Sequence, residues 1–329
     1  MSGQTIPRAD QANRVIALNV QVIDKTGAPV RGLQPQDFSL LINGKPEKFV
    51  SVEAIDHAGS GPTQAVEVLL VVDTVNTGFS NIADVKLQVK RFLSENAGKL
   101  AYPLELAVVT DSGVTLQKGF SQDGNALTSI FDQYKIGLTY RPAGFYGAQQ
   151  LFNYSFAPMM SMVQYSSKIP GRKLMIWISP GWPELAAPHY ELYGKGQQQV
   201  FRWIVDASNA LRKANVTVYD VDPRGALAAG TNRISYYKHF LRPVTEVKQA
   251  QAGNLALQVI AVQSGGEVFA GTNELSALID ECLKDADSYY VLAFTPPPAT
   301  HAHEYQSVTV NVSRPGALVR TRMGYYDQP

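Results

Sequence analysis

Residues 66–77 read Val-Glu-Val-Leu-Leu-Val-Val-Asp-Thr-Val-Asn-Thr, and they give the clearest indication of the fold class. A run of valine and leucine of this kind is typical of a strand that is buried on both faces, as in a parallel sheet. The run ends at Asp73, and a short turn with hydroxyl side chains follows it. Because open parallel sheets hold ligands just beyond the carboxyl ends of their strands, we expect Asp73 to lie where a metal ion or a polar ligand would be held.

The rest of the central region alternates between apolar strands and amphipathic helices. Strands are predicted at residues 66–72, 104–110, 174–179, 216–221 and 267–269, and helices at 83–100, 123–134, 146–167, 198–214, 255–263 and 274–286. This alternation over residues 65–287 predicts an α/β fold in which helices cover a mostly parallel sheet.

Both ends of the chain have the pattern of β-structure instead. Strands are predicted at residues 15–23, 37–42, 48–55, 288–294, 307–313 and 317–323, and Asn43-Gly44 is a strong hairpin signal. We expect residues 14–56 and 288–327 to pair into one small, β-sandwich-like domain. The α/β domain of residues 65–287 would then be an insertion in it, which costs little when the inserted ends lie close together.

The charge balance and the cysteine count exclude several classes of protein. The 329 residues include 29 Lys and Arg against 28 Asp and Glu, so there is no basic surplus for nucleic acid. Cys282 is the one cysteine, which excludes an intrachain disulfide, and its helical surroundings predict a buried thiol. No apolar run reaches the roughly 20 residues of a spanning helix, and residues 1–7 lack the apolar core of a signal peptide. A cytoplasmic protein and an exported one whose signal has been removed both stay open.

Two sets of features carry a resemblance to a known family. The order of elements in residues 65–287, with an aspartate in the turn after the first strand, resembles a von Willebrand factor type A domain. Shorter motifs along the chain resemble the acidobacterial von Willebrand factor A-related domain proteins: Asp24-Lys25-Thr26-Gly27-Ala28-Pro29, Gln36-Asp37-Phe38, Asn43-Gly44-Lys45-Pro46, Asp222-Pro223-Arg224-Gly225, Tyr289-Tyr290-Val291-Leu292 and Arg314-Pro315-Gly316. The resemblance covers about residues 15–327. It implies a Rossmann-like central domain and an extracytoplasmic location, since members of the group are usually exported, but it supplies no activity.

The resemblance also implies where a metal ion would be bound. Type A domains that bind Mg²⁺ use Asp-x-Ser-x-Ser after the first strand, a threonine from a later loop and an aspartate after the fourth strand. Asp73 and Thr77 match the first and last positions of that motif, and Thr139 is the candidate for the later threonine. Val75 replaces a serine and Pro180 replaces the last aspartate. Because hard cations need several oxygen ligands, both replacements predict a degenerate site.

Two interpretations of that degenerate site stay open. In the first, Asp73 and Thr77 hydrogen-bond the turn or cap the helix that follows, and no cofactor is bound. In the second, Asp111, Asp220 or Asp222, which also follow or end predicted strands, rebuild a non-standard site for Mg²⁺.

Aromatic residues are frequent in the loops at the predicted carboxyl edge of the sheet. They include Phe79, Tyr140, Phe145, Tyr146, Trp182, Tyr190, Tyr193, Tyr236, Tyr237 and Phe240. Exposed aromatic side chains anchor protein or sugar ligands because they offer a large rigid area and a polar tip. We predict a ligand-binding rim formed by Phe79, Tyr140, Tyr146, Trp182 and Tyr237, and the alternative is that these side chains pack the loops onto the domain.

The sequence offers little support for an enzyme. It contains no P-loop, no Gly-x-Gly-x-x-Gly and no Gly-x-Ser-x-Gly motif, and its five histidines lie in predicted loops and linkers. We therefore predict a non-enzymatic binding or adhesion module that engages a protein or cell-surface ligand at the carboxyl edge of the sheet. A divalent-metal-dependent adhesion domain with a rebuilt site and an uncharacterised hydrolase are the alternatives.

Overall fold

A computed structural model of the chain describes residues 14–56, 66–134, 144–182, 192–225 and 236–328. The strands are β1 Ile16–Ile23, β2 Phe38–Ile42, β3 Lys45–Glu47, β4 Phe49–Asp56, β5 Glu67–Asp73, β6 Lys99–Thr110, β7 Gly113–Leu116, β8 Ser121–Asp123, β9 Lys173–Ile178, β10 Val216–Val221, β11 Val268–Phe269, β12 Ser288–Phe294, β13 Glu304–Val312, β14 Leu318–Arg320 and β15 Gly324–Asp327. The α-helices are α1 Phe79–Ser94, α2 Gly124–Gln133, α3 Gly144–Ser166, α4 Lys195–Lys213, α5 Leu257–Gln263 and α6 Leu275–Asp287.

The central sheet has the strand order β11-β10-β9-β5-β6-β7, and β8 also pairs with β6. The pairs of β5 with β6, β5 with β9, β9 with β10, and β10 with β11 are parallel, whereas β7 and β8 run antiparallel to β6. When β5, β6, β7, β9, β10 and β11 are renumbered 1 to 6 in chain order, their order in the sheet from β7 to β11 is 3-2-1-4-5-6. This is the strand order of the Rossmann fold. The predicted α/β fold with a mostly parallel central sheet is therefore confirmed.

Helices cover both faces of this sheet because its inner strands are apolar on both sides. Leu69 and Val71 of β5 pack in one core with residues of α3, α4 and α5, and Leu70 and Val72 pack in a second core with residues of α1, α2 and α6. Every residue of β9 and β10 is buried. The prediction of a strand buried on both faces at residues 66–72 is thus confirmed, and the apolar run is its cause.

Several element boundaries differ from the sequence predictions, among them the end of α1 and the strand predicted at residues 317–323. The helix predicted to extend to residue 100 ends at Ser94, because Asn96 and Ala97 adopt left-handed backbone conformations, with φ of 50° and 59°, and the chain enters β6 at Lys99. The strand predicted at residues 317–323 is only β14. Residues 321–323 carry the chain across to the other flanking sheet, where β15 pairs with β13.

Both chain ends contribute to two flanking four-stranded sheets. Their orders are β14-β1-β12-β4 and β15-β13-β2-β3. Residues of both sheets share one apolar core, which includes Leu18, Leu40, Leu292, Val310 and Tyr325. This pairing of the two ends agrees with the predicted fold, whereas the domain boundaries at residues 14–56 plus 288–327 and 65–287 stay a prediction.

The flanking sheets join the central unit through a direct chain connection and a buried ionic cluster. Helix α6 ends at Asp287 and β12 begins at Ser288, so no linker separates them. The guanidinium of Arg320 in β14 binds Glu267 and Asp285 of the central unit. The Asp285 carboxylate also accepts from the Tyr219 hydroxyl, and its backbone carbonyl accepts from Arg172 Nη1 at 2.7 Å. Since Asp285 is 5% exposed, its charge depends on these partners.

Within the described residues, no helix combines the length and the apolar character that a bilayer-spanning segment requires.

We expect Arg320→Met to destabilise the protein by about 2–4 kcal/mol, because it leaves the buried Asp285 carboxylate without its ionic partner. The measurement is urea unfolding at pH 7, and the matched control is Arg314→Met, which removes an exposed arginine from a turn. A loss in Arg320→Met no larger than in the control would contradict the role of this cluster.

Candidate functional site

The chain reverses its direction of progress through the sheet between β5 and β9, which are adjacent in space. In open α/β sheets, the crevice at the carboxyl ends of such a strand pair is where ligands bind. Asp73 is the last residue of β5, and Ser179 directly follows β9. Helices α3 and α4 both begin at this edge, because α3 leads back to the start of β9 and α4 leads from the end of β9 back to the start of β10.

The Asp73 carboxylate is completely buried, with an exposed fraction of 0%. Its Oδ1 accepts from the backbone N–H groups of Val75 at 2.9 Å and Asn76 at 3.0 Å. Its Oδ2 accepts from Asn76 Nδ2 at 2.8 Å and from Trp177 Nε1 at 3.0 Å. Burial raises the pKa of Asp73, and the hydrogen bonds from Asn76 and Trp177 oppose that rise. Each oxygen thus has two donors from the chain itself.

The turn after Asp73 is packed into the protein. Val75 is 0% exposed and belongs to the core under α3 and α4. Thr74 Oγ1 donates to the carbonyl of Val109 at 2.8 Å, which fixes the turn to the neighbouring strand β6. Thr77 is buried as well. The structure thus places Asp73 and Thr77 in one turn, while Thr139 lies outside the described residues.

No group of three or more His, Cys, Asp or Glu side chains suited to a metal ion occurs in the part of the chain that the structure describes. Pro180, in the position that the sequence resemblance assigns to the last aspartate of a metal site, offers only its carbonyl, which accepts from Arg224 Nη2 at 3.3 Å. Whether Mg²⁺ binds to this protein stays a prediction.

Asp220 is a second buried aspartate at this edge of the sheet. It lies inside β10, beside Trp177 of β9, and is 0% exposed. Neither carboxylate oxygen has a hydrogen-bond partner of good geometry among the described residues, although the Gln258 amide lies near enough to act on the carboxyl group. Burial raises its pKa well above the ordinary value, and the nearby charge of Asp222 adds to that rise, whereas the Gln258 amide lowers it. An aspartate inside the apolar run Val216-Thr-Val-Tyr-Asp-Val is the sequence signal that identifies it.

Asp222, two residues further on, is neutralised by an arginine. Arg224 Nη2 lies 2.6 Å from Asp222 Oδ2, and Arg224 Nε donates to both carboxylate oxygens. A carboxylate held in this bidentate geometry is already compensated, so it offers less to a cation than a free one.

The predicted aromatic rim is wrong for two of its five members. Trp182 is 3% exposed and packs against Trp177 at a ring-centroid distance of 5.4 Å, with Phe152 and Phe156 at 6.0 and 6.3 Å. Gly181, with φ of 89°, makes this possible, since its positive φ turns the chain inward after β9.

Tyr237 is the second wrong member. It is 9% exposed and lies in a small apolar cluster with Phe240, Ala256 and Val259. For both residues, the alternative of loop packing is confirmed, because large aromatic side chains gain more from burial in the loops than from exposure.

Two exposed aromatic side chains do lie at the carboxyl edge. Tyr146, in the first turn of α3, is 84% exposed, and Tyr193, just before α4, is 71% exposed. Phe79 begins α1, and its side chain is not described, while Tyr140 lies outside the described residues. Cys282 is buried at 0% exposure as predicted, and burial raises the pKa of its thiol well above the ordinary value, which disfavours a nucleophilic thiolate.

Comparison with known proteins gives similarity of fold only. No protein-family model matches the sequence, and no curated protein is significantly similar to it. Solved structures with a similar arrangement include the VWA domain of SpRpn10, with a TM-score of 0.33 and 10% identity over 67% of this chain and 95% of that one. The pilus adhesin SpaC from Lactobacillus rhamnosus GG, in its open conformation, has a TM-score of 0.39 and 12% identity over 92% of this chain and 42% of that one.

The human COPII-coat protein Sec24c has a TM-score of 0.36 and 8% identity over 80% of this chain and 44% of that one. The chain therefore spans less than half the length of SpaC and Sec24c. At such identities and TM-scores, these similarities supply no ligand, metal or partner.

The two buried aspartates are expected to respond in opposite ways to amidation. Asp73→Asn replaces one oxygen by an NH₂ group and leaves two donors unpaired, so we expect a loss of about 2–4 kcal/mol in the free energy of unfolding at pH 7.5. Asp220→Asn removes a carboxyl group that folding must bury either charged or at the cost of keeping its proton, so we expect a gain of about 1–3 kcal/mol at the same pH.

The gain in Asp220→Asn is expected to depend on pH. Because the folded-state pKa of Asp220 is raised, the folded wild type retains a proton that the unfolded chain loses near its ordinary pKa of about 3.9. The wild type therefore loses stability as pH rises through the raised pKa, whereas the neutral amide does not. Urea unfolding at pH 5.0 and 7.5 measures both variants, and a gain that is larger at pH 5.0 would contradict this assignment.

Proposed function

We propose that the chain is a non-enzymatic binding module of the adhesion type, which engages a protein or cell-surface ligand at the carboxyl edge of the central sheet without a metal ion. The observation that carries the proposal is the saturation of the Asp73 carboxylate by four donors of its own chain. A carboxylate has about four acceptor positions on its two oxygens, and a metal ligand must turn at least one of them toward the cation.

The residues around Asp73 support the same conclusion. The side chain in the position of the first serine is Val75, which is buried in the apolar core and has no oxygen to offer. Replacing the donors around Asp73 by a cation would require Trp177 and the turn of Asn76 to move out of a packed interior. Interiors resist such movement because their side chains fill the available space. In this proposal the turn has kept the fold of a metal loop and lost its metal chemistry.

The ligand-facing rim in this proposal consists of Tyr146 and Tyr193 at the starts of α3 and α4. Both flank the strand pair at which open α/β sheets bind ligands, and both expose most of their ring. Tyrosine is a common energetic anchor of protein interfaces, since it combines apolar area with a hydrogen-bonding hydroxyl. The resemblance of the chain to exported proteins agrees with an extracytoplasmic ligand.

A metal-dependent adhesion site rebuilt around Asp220 is the second candidate. The observation that favours it is the absence of any hydrogen-bond partner of good geometry for the two Asp220 oxygens within the described residues. Against it stands Arg224, which already neutralises the adjacent Asp222. Calorimetry with Mg²⁺ and Mn²⁺ on the wild type and Asp220→Asn separates the two candidates, because only a rebuilt site gives heat in the wild type and none in the variant.

We expect binding to an immobilised panel of extracellular-matrix proteins and glycans to survive EDTA and to fall at least about tenfold in the double variant Tyr146→Ser/Tyr193→Ser, since two anchors of more than 1 kcal/mol each are removed. The readout is surface plasmon resonance on each panel member that binds the wild type.

The matched control is Val50→Ser/Leu318→Ser, which changes two exposed apolar side chains of the flanking sheets, 61% and 59% exposed. Equal loss in both double variants would remove the rim from the proposal, and loss of binding in EDTA would favour the rebuilt metal site. Trp182→Ala is unsuitable for this test because it would open a cavity in the core.

A further inference from the structure

A polar cavity lies at the opposite edge of the central sheet, where the strands begin and the flanking sheets pack against the central unit. Its walls come from β1, from the residue before β9, from the end of α4 and the start of β10, and from the segment between β14 and β15. Three arginines line it, namely Arg172, Arg212 and Arg322, and we call it the arginine cavity. It leaves about 20 Å³ for the centre of a water-sized particle, which suits one water molecule or one monatomic ion.

The three guanidinium groups are poorly satisfied for their degree of burial. Arg322 is 8% exposed, and its one hydrogen bond within the described residues is a long one, from Nη1 to the carbonyl of Ser208 at 3.4 Å. Arg172 is 2% exposed; its Nη1 donates to the backbone carbonyl of Asp285 and its guanidinium lies over the Tyr289 ring at 4.3 Å, but its Nε has no hydrogen-bond partner. The Nε of Arg212 is likewise buried without a partner. Buried donors of this kind are normally paired, and unpaired ones require an explanation.

The cavity also concentrates positive charge. No aspartate or glutamate is among its lining residues. Burial and the neighbouring charge of Arg212 lower the pKa of Arg322 to about 10. The carboxylate of Asp327 compensates Arg212 in part, and the partial negative charge at the carboxyl end of α4 adds a smaller compensation. Neither gives Arg322 a partner, so a buried guanidinium faces a like charge across a small, polar space.

We propose that the arginine cavity binds one small inorganic anion, and that chloride is the anion whose size fits it. A chloride ion accepts several N–H donors from different directions, which suits guanidinium groups contributed by three separate segments. Tetrahedral oxyanions also pair well with arginine, but they are larger than chloride, so chloride is the better fit to a space of this size. The bound anion joins Arg322 of the flanking sheets to Arg172 and Arg212 of the central unit, so chloride acts as a structural tie between them.

The test is thermal unfolding of the full chain at constant ionic strength. Sodium gluconate is replaced stepwise by sodium chloride, and the Tm is measured at each step. We expect the Tm of the wild type to rise in a saturable manner, by about 2 °C at ten times the dissociation constant. Arg322→Gln is expected to lose this dependence. Arg314→Gln removes the same charge from an exposed turn and is expected to keep it.

Two further measurements keep the proposal testable if Arg322→Gln does not fold. Arg212→Gln, at a half-buried position, is expected to weaken the chloride dependence at least fivefold in apparent affinity. Crystals of the wild type soaked in bromide are expected to show one anomalous peak among the three guanidinium groups. Identical, non-saturating responses of the wild type and Arg322→Gln would overturn the proposal, as would the absence of a bromide peak. A saturable, Arg322-dependent response to sulfate or phosphate without one to chloride would overturn chloride as the ligand.

Discussion

The hydrogen bonding of one buried carboxylate determines the geometry at the centre of this molecule. Asp73 has no access to water, so its charge must be satisfied by the chain itself, and the cost of leaving it unsatisfied would be several kcal/mol. Its four donors come from the turn that follows β5 and from Trp177 of β9. The same bonds therefore close the turn, hold β5 against β9 and orient the indole on which Trp182 packs. In our proposal, these bonds also leave no acceptor for a cation.

The two edges of the sheet differ in how their buried ionisable side chains are compensated. At the carboxyl edge, Asp73 is satisfied by the protein, Asp222 is paired with Arg224, and Asp220 is left with a raised pKa. At the amino edge, Arg320 is paired with Asp285 and Glu267, while Arg322 forms no ion pair within the described residues. A buried carboxyl group and a buried guanidinium without an ionic partner thus lie at opposite edges. Proteins often bind ligands at such positions, because a ligand can supply the hydrogen bond or the opposite charge that the folded chain does not.

The sequence is sufficient for the fold because the decisive signals are local and strong. The apolar run that ends at Asp73 predicts a buried strand, and the helical periodicity of the segments after it predicts the helices that cover the sheet. The sequence does not predict which aromatic residues form the rim, since an aromatic residue in a loop carries no local signal that separates exposure from burial. Trp182 is buried because Gly181 turns the chain onto Trp177, and Tyr146 is exposed although its residue type is just as apolar. No local sequence pattern predicts the arginine cavity, since residues 172, 212 and 322 come together only through the packing of the flanking sheets.

The way in which the flanking sheets are assembled has a consequence for how the chain acquires its structure. Strand β1 lies between β12 and β14, and Ile16 pairs with Phe294, so the first strand finds its partners only near the end of the chain. Closing so long a loop is entropically unfavourable until the intervening residues have become compact. We therefore expect the central unit to form early and to bring residues 16–23 and 288–294 together. During synthesis, β1 and β4 lack their partner strand β12 until residues 288–294 emerge, and in that interval the nascent chain is more exposed to misassociation.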